Sequence, residues 1–268
     1  MKMSGSGNDF ILIDHREPFL KEDRLKDFIQ KVCRRRTSVG ADGLILIERS
    51  QRADFKWRFY NSDGSEAEMC GNGGRCAARF AYLKGIAGPS LKFETLAGIL
   101  SAQVDGKRVK LEMTKPFGLI LDEVISADGE RHVISRINTG VPHAILFVED
   151  LEEIDIMRIG RAIRFHSNFT PSGTNVDFIR VGKGSKLFIR TYERGVEDET
   201  LACGTGAVAS ALVAAFKGLV NSPASIKTRG GEVLTVYFEI RDKEARKVFF
   251  EGDVHIVYEA EMWEEAYE

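Results

Sequence analysis

Two short stretches combine a thiol with a helix start. Cys70-Gly71-Asn72-Gly73 and Cys203-Gly204-Thr205-Gly206 each place a cysteine immediately before a glycine-rich turn into a helical run. The first N–H groups of a helix lack intrahelical partners, and the helix dipole puts partial positive charge there. A thiol in that position is expected to ionise more readily, and the thiolate is its reactive form. The same N–H groups can hold a substrate carboxylate. Inverting a carbon centre requires a base on one face and an acid on the other. A thiolate and a thiol meet that need, exchanging roles in the reverse direction. Abstraction α to a carboxylate is difficult, and helix N-termini aimed at that carboxylate would stabilise the developing charge. A single cysteine beside glycine is more often a small buried residue than a catalyst. It is the pairing that reverses this judgement. Cys33 lies in an apolar stripe with Leu25, Phe28, Ile29 and Val32 and is read as inert, as is Cys76.

The pairing extends to the frame around it. The two cysteines stand 133 residues apart (70 to 203), and the same offset carries Gly7 onto Gly140, Gly40 onto Gly173, Gly85 onto Gly218 and Gly98 onto Gly231. Strand-like runs at Phe10–Ile13, Leu44–Ile47, Lys56–Tyr60 and Val109–Met113 have counterparts at Ala144–Val148, Val176–Val181, Leu187–Tyr192 and Lys247–Glu251. Each half also holds an amphipathic helix, about Asp23–Arg34 and Ile156–Phe165, and a helix after its cysteine. From Thr200 to Phe216 there is no charged residue, so that helix must be wrapped by other structure. The fold class expected is α/β (α+β). Two pseudo-symmetric domains would each form a curled, mostly antiparallel sheet around a central helix, with the active site in the cleft between them. The breakers around Lys115-Pro116-Phe117-Gly118 place one domain over 1–114, joined by the C-terminal segment 259–268, and the other over 115–258.

Composition narrows the function. Charged residues make up 29% and the net charge is -2, which gives no support for a nucleic-acid or anionic-membrane partner. No apolar signal core or membrane-length run is present, and a cytoplasmic location is expected. Four cysteines without a Cys-x-x-Cys pair suggest neither a disulfide scaffold nor a zinc site. No lysine sits in a recognisable pyridoxal phosphate setting, so the expected partner is a small-molecule amino acid, with no cofactor and no metal. The sequence does not specify the oligomeric state; a homodimer is allowed.

At this point the motifs resemble the diaminopimelate epimerase family. Asn61-Ser62-Asp63-Gly64-Ser65-Glu66-Ala67-Glu68-Met69-Cys70-Gly71-Asn72-Gly73 is similar to its first signature. Thr191-Tyr192-Glu193-Arg194-Gly195-Val196 followed by Thr200-Leu201-Ala202-Cys203-Gly204-Thr205-Gly206 is similar to its second. Gly7-Asn8-Asp9-Phe10, Gly40-Ala41-Asp42-Gly43, Pro142-His143 and Thr174-Asn175-Val176 fit as well. The resemblance runs essentially end to end. It implies interconversion of LL- and meso-2,6-diaminopimelate, on the route to lysine and peptidoglycan precursors, with Cys70 and Cys203 as the acid/base pair. It further implies that His143 and Glu193 tune their protonation. Substrate contacts would come from Asn8, Asn61, Gly71, Asn72, Asn175, Glu193, Arg194, Gly204 and Thr205. Taken singly, such asparagines are usually turn residues and such a histidine structural. Two departures stand out: Gly43 where many members carry Gln or a similar polar residue, and Val141 where many carry Asn before the Pro-His. Neither is counted among the site residues.

Three other readings compete. The nearest is an isomerase of the same fold acting on proline, hydroxyproline or a small unsaturated acid; the Glu193-Arg194 pair and the long signatures favour diaminopimelate. A nucleotide-binding oxidoreductase is suggested by Gly204-Thr205-Gly206-Ala207-Val208-Ala209, but the acidic run Glu197-Asp198-Glu199 precedes it instead of a buried strand. The third is a thiol redox switch, in which oxidation joins the two cysteines.

Overall fold

Parallel strand pairs cannot be joined by tight turns, so the chain must insert crossovers between them, and here helices provide them. The computed structural model describes residues 1–268. The first run of elements is β1 (Lys2–Gly5), β2 (Asn8–Asp14), α1 (Glu22–Val32), β3 (Gly43–Glu48), β4 (Phe55–Asn61), β5 (Glu66–Ala67), α2 (Gly71–Leu83), β6 (Ser90–Thr95), β7 (Gly98–Asp105) and β8 (Arg108–Glu112). The second is β9 (Phe117–Ala127), β10 (Glu130–Asn138), β11 (Pro142–Phe147), α3 (Ile156–Arg164), β12 (Asn175–Val181), β13 (Lys186–Glu193), β14 (Asp198–Thr200), α4 (Gly204–Phe216), β15 (Ala224–Lys227), β16 (Val233–Arg241) and β17 (Glu244–Tyr258). From β2 to β8 and from β11 to β17 the elements follow in the same order. In both runs most strand pairs are antiparallel. The parallel pairs β2–β3 and β4–β6 are bridged by α1 and α2, and β11–β12 and β13–β15 by α3 and α4. This is the α/β class with a duplicated, mostly antiparallel architecture.

Two compact units result, Met1–Glu112 with Gly252–Glu268, and Met113–Glu251. The return to the first unit begins at Gly252, within β17 and ahead of the 258/259 position suggested by the sequence, because the later part of that strand, from Val254 to Tyr258, pairs with β1. Strand β9 carries consecutive apolar residues at Leu119-Ile120-Leu121 and β10 opens on the polar run Glu130-Arg131-His132, so neither shows the apolar alternation that would make it stand out in the sequence. Helix α1 stops at Val32, short of Arg34, because the Val32 and Cys33 carbonyls turn to accept the Gly40 and Ala41 N–H groups.

Alternation along the strands sorts side chains to two faces. On β3, Leu44 and Leu46 join Leu25, Ile29 and Val32 of α1, while Ile45 and Ile47 join Ala77 and Phe80 of α2. On β12, Val176 and Phe178 join Ile156, Ile159 and Ile163 of α3, while Ile179 joins Val208 and Leu212 of α4. Helix α2 packs against β1, β2, β3, β7 and β8, and α4 against β10 to β13, β15 and β16. Each sheet therefore curls around its second helix, and Ala207, Val208, Ala209, Ala211, Leu212, Val213 and Ala214 are fully enclosed. No helix is long and apolar enough to cross a membrane.

Helix α3 is docked closely on the sheet. A Cβ at Gly160 of α3 would lie 2.6 Å from the Tyr192 Cβ on β13. On propensity alone Gly160→Ala should stabilise the helix by about 1 kcal/mol; overpacking of this kind costs about 1–3 kcal/mol. We expect a net loss of stability in urea denaturation, and a raised midpoint would contradict the close approach of α3 to β13.

Candidate functional site

Cys70 and Cys203 occupy the same place in their units. Each is the extended residue that caps the inner helix, with φ -145° at Cys70 and -122° at Cys203. Gly71 and Asn72, and likewise Gly204 and Thr205, form the first turn, whose N–H groups have no helical acceptor. The Cys70 Sγ accepts the Gly73 N–H at 3.4 Å. The glycine three residues after the cysteine in each copy lies close against the sheet. A Cβ at Gly206 would stand 2.4 Å from Asp177 Oδ1, and one at Gly73 would stand 3.3 Å from Ile45 Cδ1.

In the first unit a polar chain runs from the core to the turn. Fully buried Arg75 donates to Asn72 Oδ1 (2.8 Å), to the Asp253 carbonyl (3.1 Å) and to the Ser6 hydroxyl. Asn72 Nδ2 in turn donates to Asn8 Oδ1 at 2.8 Å, and Asn8 Nδ2 to Asp42 Oδ2 at 3.1 Å. Asn8 and Asn72 thus belong to one hydrogen-bonded set, with both amides held in a defined orientation. Asn61 ends β4, exposed, opposite Gly43 in the ladder, with its Nδ2 on Ser65 Oγ at 3.0 Å. Gly43 itself admits no side chain, since a Cβ would fall 2.4 Å from the Tyr60 carbonyl oxygen.

The second unit gathers His143 at the start of β11, Asn175 at the start of β12, and Glu193 at the end of β13 with Arg194 next to it. Asn175 Oδ1 accepts the Arg194 N–H at 2.8 Å, its Nδ2 meets the Pro142 carbonyl at 3.3 Å, and the Arg194 guanidinium meets the Ser172 carbonyl at 3.2 Å. His143 is bracketed by Thr205 Oγ1, 3.0 Å from Nε2, and by Asp177 Oδ2, 2.7 Å from Nδ1. Thr205 Oγ1 lies 3.4 Å from Cys203 Sγ. Asp177 and its partner Thr191, whose hydroxyl donates at 2.7 Å, were not among the residues singled out from the sequence. A signal was present: Asp177 is a charge inside the apolar run Val176–Ile179, in phase with the inward-facing Ile179.

One expectation is corrected. Cys203 was expected to be acidified by its helix, but its thiol is pushed well above the ordinary value of 9.0. Burial is the main cause, the Glu193 and Asp177 carboxylates add to it, and the Thr205 hydroxyl and Gly206 N–H oppose it only in part. Desolvation of an anion outweighs a dipole effect of about 0.3–1 kcal/mol. Two further thiols are raised as well: burial pushes Cys33 up to about 11 and Cys76 up to about 12. The turn also lacks a dinucleotide-binding context, because β14 before it is a short strand antiparallel to β13. No cluster of three or more His, Cys, Asp or Glu is arranged to hold a metal ion.

Comparison with known proteins gives a consistent result. The sequence pattern of the family described as Diaminopimelate epimerase matches residues 1–117 and 135–257. The Aquifex aeolicus (strain VF5) protein named diaminopimelate epimerase is 50% identical over 278 aligned positions, covering 100% of this chain and 98% of that one. Among solved structures, a Bacillus anthracis phenazine biosynthesis protein of the PhzF family superposes with TM-score 0.72 at 16% identity, covering 94% of each chain. A probable proline racemase from Agrobacterium radiobacter K84 does so with TM-score 0.71 at 16% identity, covering 95% of this chain and 89% of that one. These two show a shared fold.

The burial of Cys203 has a measurable consequence. In a difference titration of wild type against Cys203→Ala, followed by ultraviolet thiolate absorbance, the Cys203 signal should develop only above the ordinary thiol value of 9.0. Ionisation below that value would mean that the helix end, and not burial, dominates.

Proposed function

The chain belongs to the diaminopimelate epimerase family, and from that premise we propose that Cys70 and Cys203 are the acid and base that interconvert LL- and meso-2,6-diaminopimelate. The observation that carries the reading is positional: in each copy of a duplicated fold, a cysteine caps the buried central helix. One thiolate removes the α-proton and the other thiol supplies a proton to the opposite face, so the product has inverted configuration. N–H groups of Gly71, Asn72, Gly204 and Thr205 receive the carboxylate at the reacting end, where negative charge grows in the transition state. Burial raises the Cys203 thiol above its ordinary value and so favours its protonated, proton-donating form. His143 and Glu193 tune it, one through Thr205 and the other by charge.

The substrate carries an amino-acid group at each end, and the second needs its own partners. Arg194 supplies a guanidinium for a carboxylate, and the side-chain oxygens of Asn8, Asn61 and Asn175 supply acceptors for an ammonium. Neither Gly43 nor Val141 offers a polar side chain to this task; at Gly43 the Tyr60 carbonyl leaves no space for one. The reaction on this reading belongs to lysine biosynthesis and takes place in the cytoplasm.

Cys70→Ala and Cys203→Ala should each lower epimerisation by at least about a hundred- to ten-thousand-fold with unchanged circular dichroism. Wild-type exchange of the α-proton with solvent deuterium in either variant would count against two-base chemistry. Turnover of LL-diaminopimelate should exceed that of proline, and activity on proline alone would overturn the substrate assignment.

A further inference from the structure

The turns that follow β4 and β13 lean on α1 and α3, the helices on the sheet face away from α2 and α4. After β4 the support is short-range. Gln30 Nε2 of α1 donates to the Asp63 carbonyl at 2.8 Å, and a Cβ at Gly64 would stand 2.7 Å from Lys26 Cγ. After β13 the support is a charge at the end of a long side chain. Arg164, the last residue of α3, brings its guanidinium to Glu197, with Nε 3.1 Å and Nη2 3.0 Å from the carboxylate oxygen Oε1. The two side chains are 13% and 31% exposed, so water screens the pair only in part.

Glu197 is the residue around which the second turn closes. Its N–H donates to the Glu193 carbonyl at 2.8 Å. Its Oε1 also accepts the Gly195 N–H at 2.9 Å, and its Oε2 accepts the Tyr192 hydroxyl at 3.4 Å. The Glu197 backbone is left-handed, with φ 59°, a conformation that a residue with a Cβ keeps only where surrounding contacts enforce it. Burial opposes the negative charge, yet the Gly195 N–H, Arg164 and the Tyr192 hydroxyl outweigh it and hold the carboxyl below its ordinary value of 4.5. Arg164 also braces the neighbouring segment, since a Cβ at Gly173 would overlap its guanidinium. Between these two supports sits Arg194, whose N–H donates to Asn175 Oδ1 at 2.8 Å and whose guanidinium donates to the Ser172 carbonyl at 3.2 Å.

We infer that Arg164 and Glu197 are a positioning pair: joined, they fix the turn 193–197 and with it the place from which Arg194 meets the far carboxylate of the substrate. This rests on the recognition role proposed for Arg194. Neither member of the pair has to touch the substrate. A guanidinium on a long, flexible stem recognises a carboxylate well only if its backbone is held still. A displacement of about 1 Å at a group that orients the substrate can cost about a hundredfold. The pair therefore contributes to the preference for a substrate with a carboxylate at each end, and it does so from outside the site.

The test variant is Glu197→Asn, because asparagine tolerates the left-handed backbone but is too short to keep the Arg164 and Gly195 contacts together. Its KM for LL-diaminopimelate should rise about ten- to a hundredfold with kcat little changed. Arg164→Ala should behave alike, and Arg164→Lys should recover part of the loss. In an Arg194→Ala background Glu197→Asn should add nothing, since the pair acts through that guanidinium. Hydrogen exchange at the Gly195 amide should be about tenfold faster in Glu197→Asn than in wild type. Wild-type KM in Glu197→Asn or in Arg164→Ala, or a further loss in the double variant, overturns the inference. Wild-type KM in Arg194→Ala would instead remove the recognition reading, and unchanged Gly195 exchange in Glu197→Asn would mark the separate failure of the clamp.

Discussion

Enclosure of an uncharged helix by its own sheet is the constraint from which the other features follow. Helix α4 carries no charged residue between Gly204 and Phe216, and its middle is sealed by strands on both sides. At its N-terminal end such a helix offers the N–H groups of its first turn. A residue capping that turn is at once close to positive partial charge and removed from water. At Cys203 the second effect is larger, and the thiol keeps its proton. The site therefore combines an anion-binding turn with a neutral, shielded acid, two properties that a surface helix end could not hold together.

Duplication supplied the frame twice, yet the interiors behind the two cysteines differ in chemistry. Behind the α2 turn lie aromatic and aliphatic groups, with a buried guanidinium, Arg75, anchoring the amides of Asn72 and Asn8. Behind the α4 turn lie a carboxylate, an imidazole and hydroxyls in hydrogen-bond contact. Because strand side chains alternate with period two, an inward position stays inward in both copies, and a few substitutions in that phase change the chemistry without changing the fold. Backbones with the same order of elements thus present two thiols in unlike surroundings.

Much of this was legible before any coordinates. The repeated Cys-Gly-x-Gly, the helical runs and the strand-like segments identified the element order, because local periodicity and turn chemistry are properties of neighbouring residues. Strands β9 and β10 escaped notice because neither alternates apolar and polar residues along its length. Asp177 was visible as a charge in an apolar strand, but its partners His143 and Thr191 are 34 and 14 residues away in the chain, and only the ladder brings them together.

What the sequence by itself determined is the family, the duplicated frame and the identity of the capping residues, since these depend on types and spacing along the chain. The raised thiol of Cys203, the lack of room for a side chain at Gly43 and the line of hydrogen bonds from Cys203 to Asp177 were decided by tertiary structure. Each depends on what other segments place within a few ångströms, and desolvation, steric exclusion and hydrogen bonding act across space, whatever the separation along the chain.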